Sequence, residues 1–396
     1  MSGEICRMRV RVRLLRRSRQ STTLGGLFLL CALGSALAMP ARAASDEALV
    51  AYWQQEWPRT DFARHTVALQ EIQSGGPPKD GIRAIDRPRF ESVAAAARWL
   101  DAREPVIALA INAAAKAYPL SILIWHEIVN DRLADTPIAV TFCPLCNASI
   151  VFERRVAGAE VDFGTTGTLR HSDLVMYDRQ SESWWQQFTG TAIVGHHAGV
   201  ALRKLESQIV AFEDFRAAWP DGRVLSRATG YERPYGRNPY AGYDDIDQSP
   251  FLLTGAPDGR LPPMERVLSV SAGGVHRVYP FSMLARAPII NDTVAGEPVV
   301  VLSRQGTLSV LDQSEIKGSR HIPSANAFSR RLEGKILAFE LRDGRVMDLT
   351  TGSQWDLLGR AVAGPLTGAR LSPAVGGVHF AFAWLAFNPN TEIYRK

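Results

Sequence analysis

The chain has 396 residues, 46% of them hydrophobic and 21% charged, a balance that supports a full apolar core and excludes a disordered or collagen-like protein. Its length suggests two domains rather than one, and four cysteines are too few for a disulfide scaffold. The net charge of +5 sits almost wholly at the N-terminus, so its position matters more than its sum.

Residues 1–43 read as an export signal. Arg7, Arg9, Arg11, Arg13, Arg16, Arg17 and Arg19 form a basic start, residues 24–38 an apolar run, and Ala41-Arg42-Ala43 a small-residue cleavage site. The run is shorter than the roughly 20 residues that span a bilayer, and no later segment is long and apolar enough to do so. Removing residues 1–43 takes eight Arg from the 45 basic residues and one Glu from the 40 acidic ones, which leaves a net charge of about −2. A nucleic-acid partner loses its support, and the expected location is periplasmic or secreted.

Residues 44–103 predict a helical N-terminal segment, with helices over 46–57, 60–72 and 91–100. From Pro105 the pattern turns to short β-type runs at 106–111, 137–142, 149–154, 174–177 and 184–188. One helix is expected among them, over 119–129, with proline in its first turn.

Sliding the chain by 161 residues aligns 104–140 with 265–301 without a gap and with about a third of positions identical, among them Tyr118/Tyr279, Pro119/Pro280, Asn130/Asn291, Asp131/Asp292 and Pro137/Pro298. The expected fold is therefore α+β, mainly β: two duplicated β-rich units with one helix each, at 104–230 and 264–396. The Tyr/Pro/Gly-rich stretch 231–263 connects them; its four tyrosines argue for an ordered loop packed on the first unit rather than a plain linker. The copies disagree where chemistry would sit. His126-Glu127 becomes Ala287-Pro288, and Cys143-Pro144-Leu145-Cys146 becomes Arg304-Gln305-Gly306. A functional site is expected in the first unit alone.

Cys143 and Cys146 are the only cysteines beyond the signal, and three readings of the pair stand open. Two thiolates at this spacing supply half of a metal site. The same spacing serves thiol–disulfide exchange, although 147–154 reads as strand, so no helix N-terminus lowers a thiol pKa. A structural disulfide across so short a loop would stabilise by only about 2 kcal/mol, and would leave a non-catalytic ligand-binding module. In the metal reading Cys143, Cys146 and His126 are the ligands, and the ion is copper or zinc; thiolates suit either, and copper(I) is favoured because exported proteins often meet copper. Glu127, Asp173, Met176, Asp178, Trp184 and Tyr240 are candidates to line the site. Asn147 stands where covalent haem attachment needs His, and no glycine loop for a nucleotide is present. The expected partner is a metal ion or small molecule, and no pattern assigns a reaction.

The blocks His126-Glu-Ile-Val-Asn-Asp131, Val140-Thr-Phe-Cys-Pro-Leu-Cys-Asn147, Asn147-Ala-Ser-Ile-Val-Phe152, Ser172-Asp-Leu-Val-Met-Tyr-Asp-Arg-Gln180 and Tyr235-Gly-Arg-Asn-Pro-Tyr240 resemble the signature of DUF3179, a family of exported prokaryotic proteins catalogued as a domain of unknown function. The resemblance covers roughly residues 80–390. It implies export and a shared fold and supplies no activity. His171 departs from it, since the family pattern implies Asn there.

Overall fold

Runs such as Val106-Ile107-Ala108-Leu109 are apolar on both sides of the backbone, which suits strands covered on both faces. The computed structural model, which describes residues 45–395, bears out a mainly β protein, with 41% strand, 11% helix and six α-helices. The expected export signal, residues 1–43, lies outside the described residues. Among the described residues no helix is long and apolar enough to cross a membrane.

Strand Pro105–Ile111 pairs antiparallel with Ala114–Pro119, turning through left-handed Asn112. Gln208–Ala211 extends this sheet on one side and Arg223–Leu225 joins parallel on the other. A second sheet orders Ile128–Leu133, Thr136–Cys143 and Ala148–Glu153 as a meander, with Lys204–Leu205 at its edge. A third runs through Phe163–Arg170, Asp173–Asp178, Trp184–Gln186 and Thr191–Val194. Beyond residue 264 the same succession of pairings recurs. Arg266–Ala272 pairs with Val275–Pro280, flanked by antiparallel Gly376–Phe380 and parallel Glu392–Ile393. Ile289–Val294, Glu297–Leu308 and His321–Ser329 then form a meander, and Phe339–Arg342 to Ala361–Ala363 a last sheet.

Polar contacts recur with it. The Tyr118 hydroxyl donates to Asp131 Oδ2 at 2.7 Å and that of Tyr279 to Asp292 Oδ2 at 2.7 Å. Asn130 exchanges two hydrogen bonds with the backbone of Phe163, as Asn291 does with Phe339. The indoles of Trp185 and Trp355 each donate to an aspartate, Asp178 and Asp348, at 3.0 Å.

Helices depart from expectation in several places. Each half carries two rather than one: Leu120–Leu123 and Phe212–Ala218 in the first, Phe281–Leu284 and Ala381–Phe387 in the second. The helix expected over 119–129 stops after one turn, because Glu127 turns left-handed (φ 57°) and β-branched Ile128-Val129 begins a strand. Residues 46–57 are helical only over Asp46–Trp53, since Pro58 disfavours helical geometry at Trp57. Residues 60–72 hold one 3₁₀ turn, Leu69–Glu71. There the aromatic spacing serves a cluster instead of a helical stripe: Trp53, Trp57 and Phe62 pack around Trp184 with ring centroids 5.1–5.3 Å away. Over 91–100, Ser92 caps a short helix, Val93–Ala96.

The main core spans both halves, joining Ile107, Val140, Phe142, Phe152 and Trp185 to Val267, Val310 and Phe380. Residues 231–263 have no helix and no strand longer than a single bridge, yet they are ordered by specific contacts. Asp244, fully buried, accepts from Arg266 at 2.7 Å, from Arg320 at 2.8 Å and from the Ser309 hydroxyl. Asn238 N and Gly242 N donate to Ser314 O and Asp312 O. Tyr235, Tyr240 and Tyr243 pack against the main core.

Candidate metal centre

Two hairpins build the site. Strands Thr136–Cys143 and Ala148–Glu153 are joined by a tight turn in which Asn147, at φ 48°, donates its N–H to Pro144 O at 3.2 Å. Asn tolerates this left-handed geometry better than most residues. The turn folds Cys143 and Cys146 back toward each other. The second hairpin, Phe163–Arg170 with Asp173–Asp178, turns through His171 and Ser172, both left-handed at φ 52° and 68°, as a primed two-residue turn requires. Its tip sets Ser172 O at 3.9 Å from Cys143 Sγ and Asp173 alongside.

One Sγ each from Cys143 and Cys146 and a carboxylate oxygen of Asp173 lie within 4.8 Å of one another. Cys143 is 1% exposed, and Cys146 and Asp173 are 0%. Among the described residues neither thiol is in a disulfide. Asp173 Oδ2 accepts from Gln186 Nε2 at 2.6 Å and from Phe188 N at 2.9 Å, which fixes the carboxylate. Among the described residues no N–H or O–H group reaches its buried Oδ1, and only the two thiols stand beside it. A buried acceptor left bare costs about 1–3 kcal/mol, so this oxygen is placed for a cation or a proton. Burial pushes both thiols up, Cys146 well above its ordinary range. It carries Asp173 to about 7, against the opposing hydrogen bonds of Gln186 and Phe188. Glu127 rises to about 8 through burial first and the Asp173 charge second. Without a cation the region suppresses negative charge; a divalent ion inverts that preference by deprotonating its ligands.

Beside the group lies a cavity of about 320 Å³, mostly apolar, whose wall includes Leu145 from between the cysteines, Leu174, Glu127, Tyr240, Tyr243 and Phe251. The last three come from the connecting loop. Burial raises both phenols, Tyr243 to about 12, so at neutral pH the wall presents uncharged hydroxyl and carboxyl groups.

The structure thus brings together Cys143, Cys146 and Asp173, with Glu127 and Tyr240 close by. His126 lies elsewhere: buried, with Nδ1 2.6 Å from Arg83 O and Nε2 2.7 Å from the Tyr235 hydroxyl, so both ring nitrogens have protein partners. Met176 is packed in the main core. Asp178 caps a turn through Ser181 N and accepts from Trp185. Trp184 belongs to the aromatic cluster that holds the N-terminal segment. Tyr243 and Gln186 are additions that sequence reasoning did not single out as site residues. Gln186 carried a usable signal, a buried amide in a strand directly after two tryptophans.

The second half lacks each of these features. Arg304-Gln305-Gly306 stands in place of the cysteines, Pro288 in place of Glu127, and the hairpin Phe339–Arg342 with Arg345–Asp348 is shorter. From the Asn-bonded phenylalanine to the Trp-bonded aspartate, the first half takes Phe163 to Asp178 and the second only Phe339 to Asp348. The missing residues are the tip that carries Asp173.

Fold and site together define a mainly β protein with a buried dithiol–carboxylate group at the meeting of two hairpins. The chain belongs to the family described as protein of unknown function, DUF3179, whose model matches residues 79–391. No curated protein and no solved structure matches it.

Proposed function

We propose that this is an exported metal-binding protein in which Cys143, Cys146 and Asp173 hold one ion and the neighbouring cavity receives a small, largely apolar molecule. The observation that carries this reading is the convergence of three buried donors around an Asp173 oxygen that, among the described residues, has only the two thiols beside it. The carboxylate moves the preferred ion from copper(I) to zinc, since zinc accepts mixed sulfur and oxygen ligands while copper(I) favours soft donors alone. Three protein ligands leave a fourth position, as in catalytic zinc sites. Gln186 and Phe188 N orient Asp173 in the manner of outer-shell partners. His126 acts through Tyr235 and Arg83, positioning the loop that walls the cavity. The matched pairings of the two halves support an origin by duplication, after which only the first half kept donors.

A thiol-redox role has the adjacency of the two sulfurs in its favour, but their raised pKa values oppose it, because exchange needs an exposed thiolate. Metal analysis of the protein purified from the periplasm decides between the two. The metal reading predicts close to one zinc per chain, falling to background in Cys143→Ser and at least tenfold in Asp173→Asn. Metal-free protein with two thiols that oxidise and re-reduce reversibly would replace it with the redox reading.

A further inference from the structure

A second cavity, about 490 Å³, opens between the two halves. Its size falls in the usual range for small-molecule pockets. Phe188 and Trp384 supply aromatic surface, and Lys204, Gln208, His276 and His379 supply polar groups. Lys204 has three donors, of which Phe188 O takes one at 3.0 Å, and it forms no ion pair among the described residues. His379 is 3% exposed, its ring stacked on Trp384 at 5.2 Å and 23°. Among the described residues neither of its nitrogens has a hydrogen-bond partner; Nδ1 is sealed off, while Nε2 lies beside Gly377. A Cβ on Gly377 would sit 3.3 Å from that Nε2. Gly377 has no left-handed φ to account for it, so its effect is to keep space open over the imidazole. Gln208 Nε2, also a donor, is buried without a partner. Burial holds His379 neutral, at about 3. One carboxylate, Glu206, shares the rim with Lys204.

We propose that this cleft binds a small organic acid, its carboxylate on Lys204 and the Nε2 edge of His379 and its apolar body against the contiguous aromatic surface of Phe188 and Trp384. The cleft is a different cavity from the one beside the dithiol–carboxylate group, but the two are neighbours: Phe188 touches both, its N–H on Asp173 and its ring in the cleft, and the Asp173 charge also acts on Lys204. An unpaired ammonium selects an anionic head, and the aromatic walls reject a fully hydrated ion such as phosphate.

Calorimetric titration of the purified protein with phenylacetate, hexanoate and the neutral phenylacetamide tests this. At least one acid is expected to bind, phenylacetamide at least tenfold more weakly than phenylacetate, and Lys204→Gln to cost tenfold or more in acid affinity, as loss of a charge-assisted hydrogen bond implies. Gly377→Val should abolish binding while Arg304→Ala retains it. The proposal fails if neither acid binds at millimolar concentration, if acid and amide bind alike, or if folded Lys204→Gln binds as the parent does.

Discussion

Glu127 is the carboxylic acid of the site carried furthest from its ordinary behaviour. It is buried, left-handed at φ 57°, and carried to about 8 from 4.5 by burial and by the Asp173 charge. An acid with a raised folded pKa binds its proton more tightly folded than unfolded, so its favourable contribution is complete below about 4.5 and is lost as pH climbs toward 8. Chelator-treated protein should therefore become less stable between pH 5 and pH 8, by up to about 1.4 kcal/mol per pH unit for this one group. Glu127→Gln should reduce that slope, the remainder coming from Asp173, which burial raises to about 7, and leave metal content near that of the parent, both readable from urea midpoints and metal analysis. A Gln variant with the parent's slope would mean Glu127 is ionised in the folded protein. Cys143, Cys146, Glu127, Asp173 and Tyr240 could be picked from the chain because each is chemically conspicuous and absent from the second copy or set in an unusual context. His126 was equally conspicuous, but its partners, Arg83 O and the Tyr235 hydroxyl, lie 43 and 109 residues away and left no local trace.

Strands were more legible than helices. Pro105–Ile111, Thr136–Cys143 and Ala148–Glu153 lie within a residue or so of the expected runs, because buried strands announce themselves by continuous apolar, β-branched sequence. The helices over 60–72 and 119–129 failed where apolar spacing served tertiary aromatic packing or a strand instead. The hairpin tip that delivers Asp173 gives a prediction at this scale. His171 holds φ 52° with a buried, unpartnered Nδ1. Asn adopts that conformation more readily, so His171→Asn should raise stability by roughly 0.5–1 kcal/mol, seen as a higher melting temperature with metal content unchanged. A loss of metal in that variant would show that His171 itself contributes to the site.

Across the whole molecule the two halves are tied by contacts as well as by the shared core. Arg304, which aligns with the cysteine turn at a shift of 161 residues, pairs with Glu213 and Asp214 on the Phe212–Ala218 helix of the first half. The guanidinium is half exposed, so Arg304→Ala should cost about 1 kcal/mol or less and leave bound metal untouched. If it removed metal as Cys143→Ser is expected to, a site confined to the first half would be untenable. The order of strand pairings in the two halves is in keeping with the repeat at a shift of 161 residues, whereas the second helix in each half left no such trace, since that repeat fades after residue 140.

The connecting loop has a consequence for biogenesis. Tyr240, Tyr243 and Phe251 close the cavity beside the cysteines, but the loop that carries them is held by Arg266, Ser309 and Arg320 around Asp244. Those anchors are synthesised after the cysteine hairpins are complete. During vectorial synthesis or threading through a membrane the two thiols would emerge unshielded, and their enclosure would wait for the C-terminal half. On the proposed metal reading, that interval is when an ion would be loaded and when oxidation would intercept it.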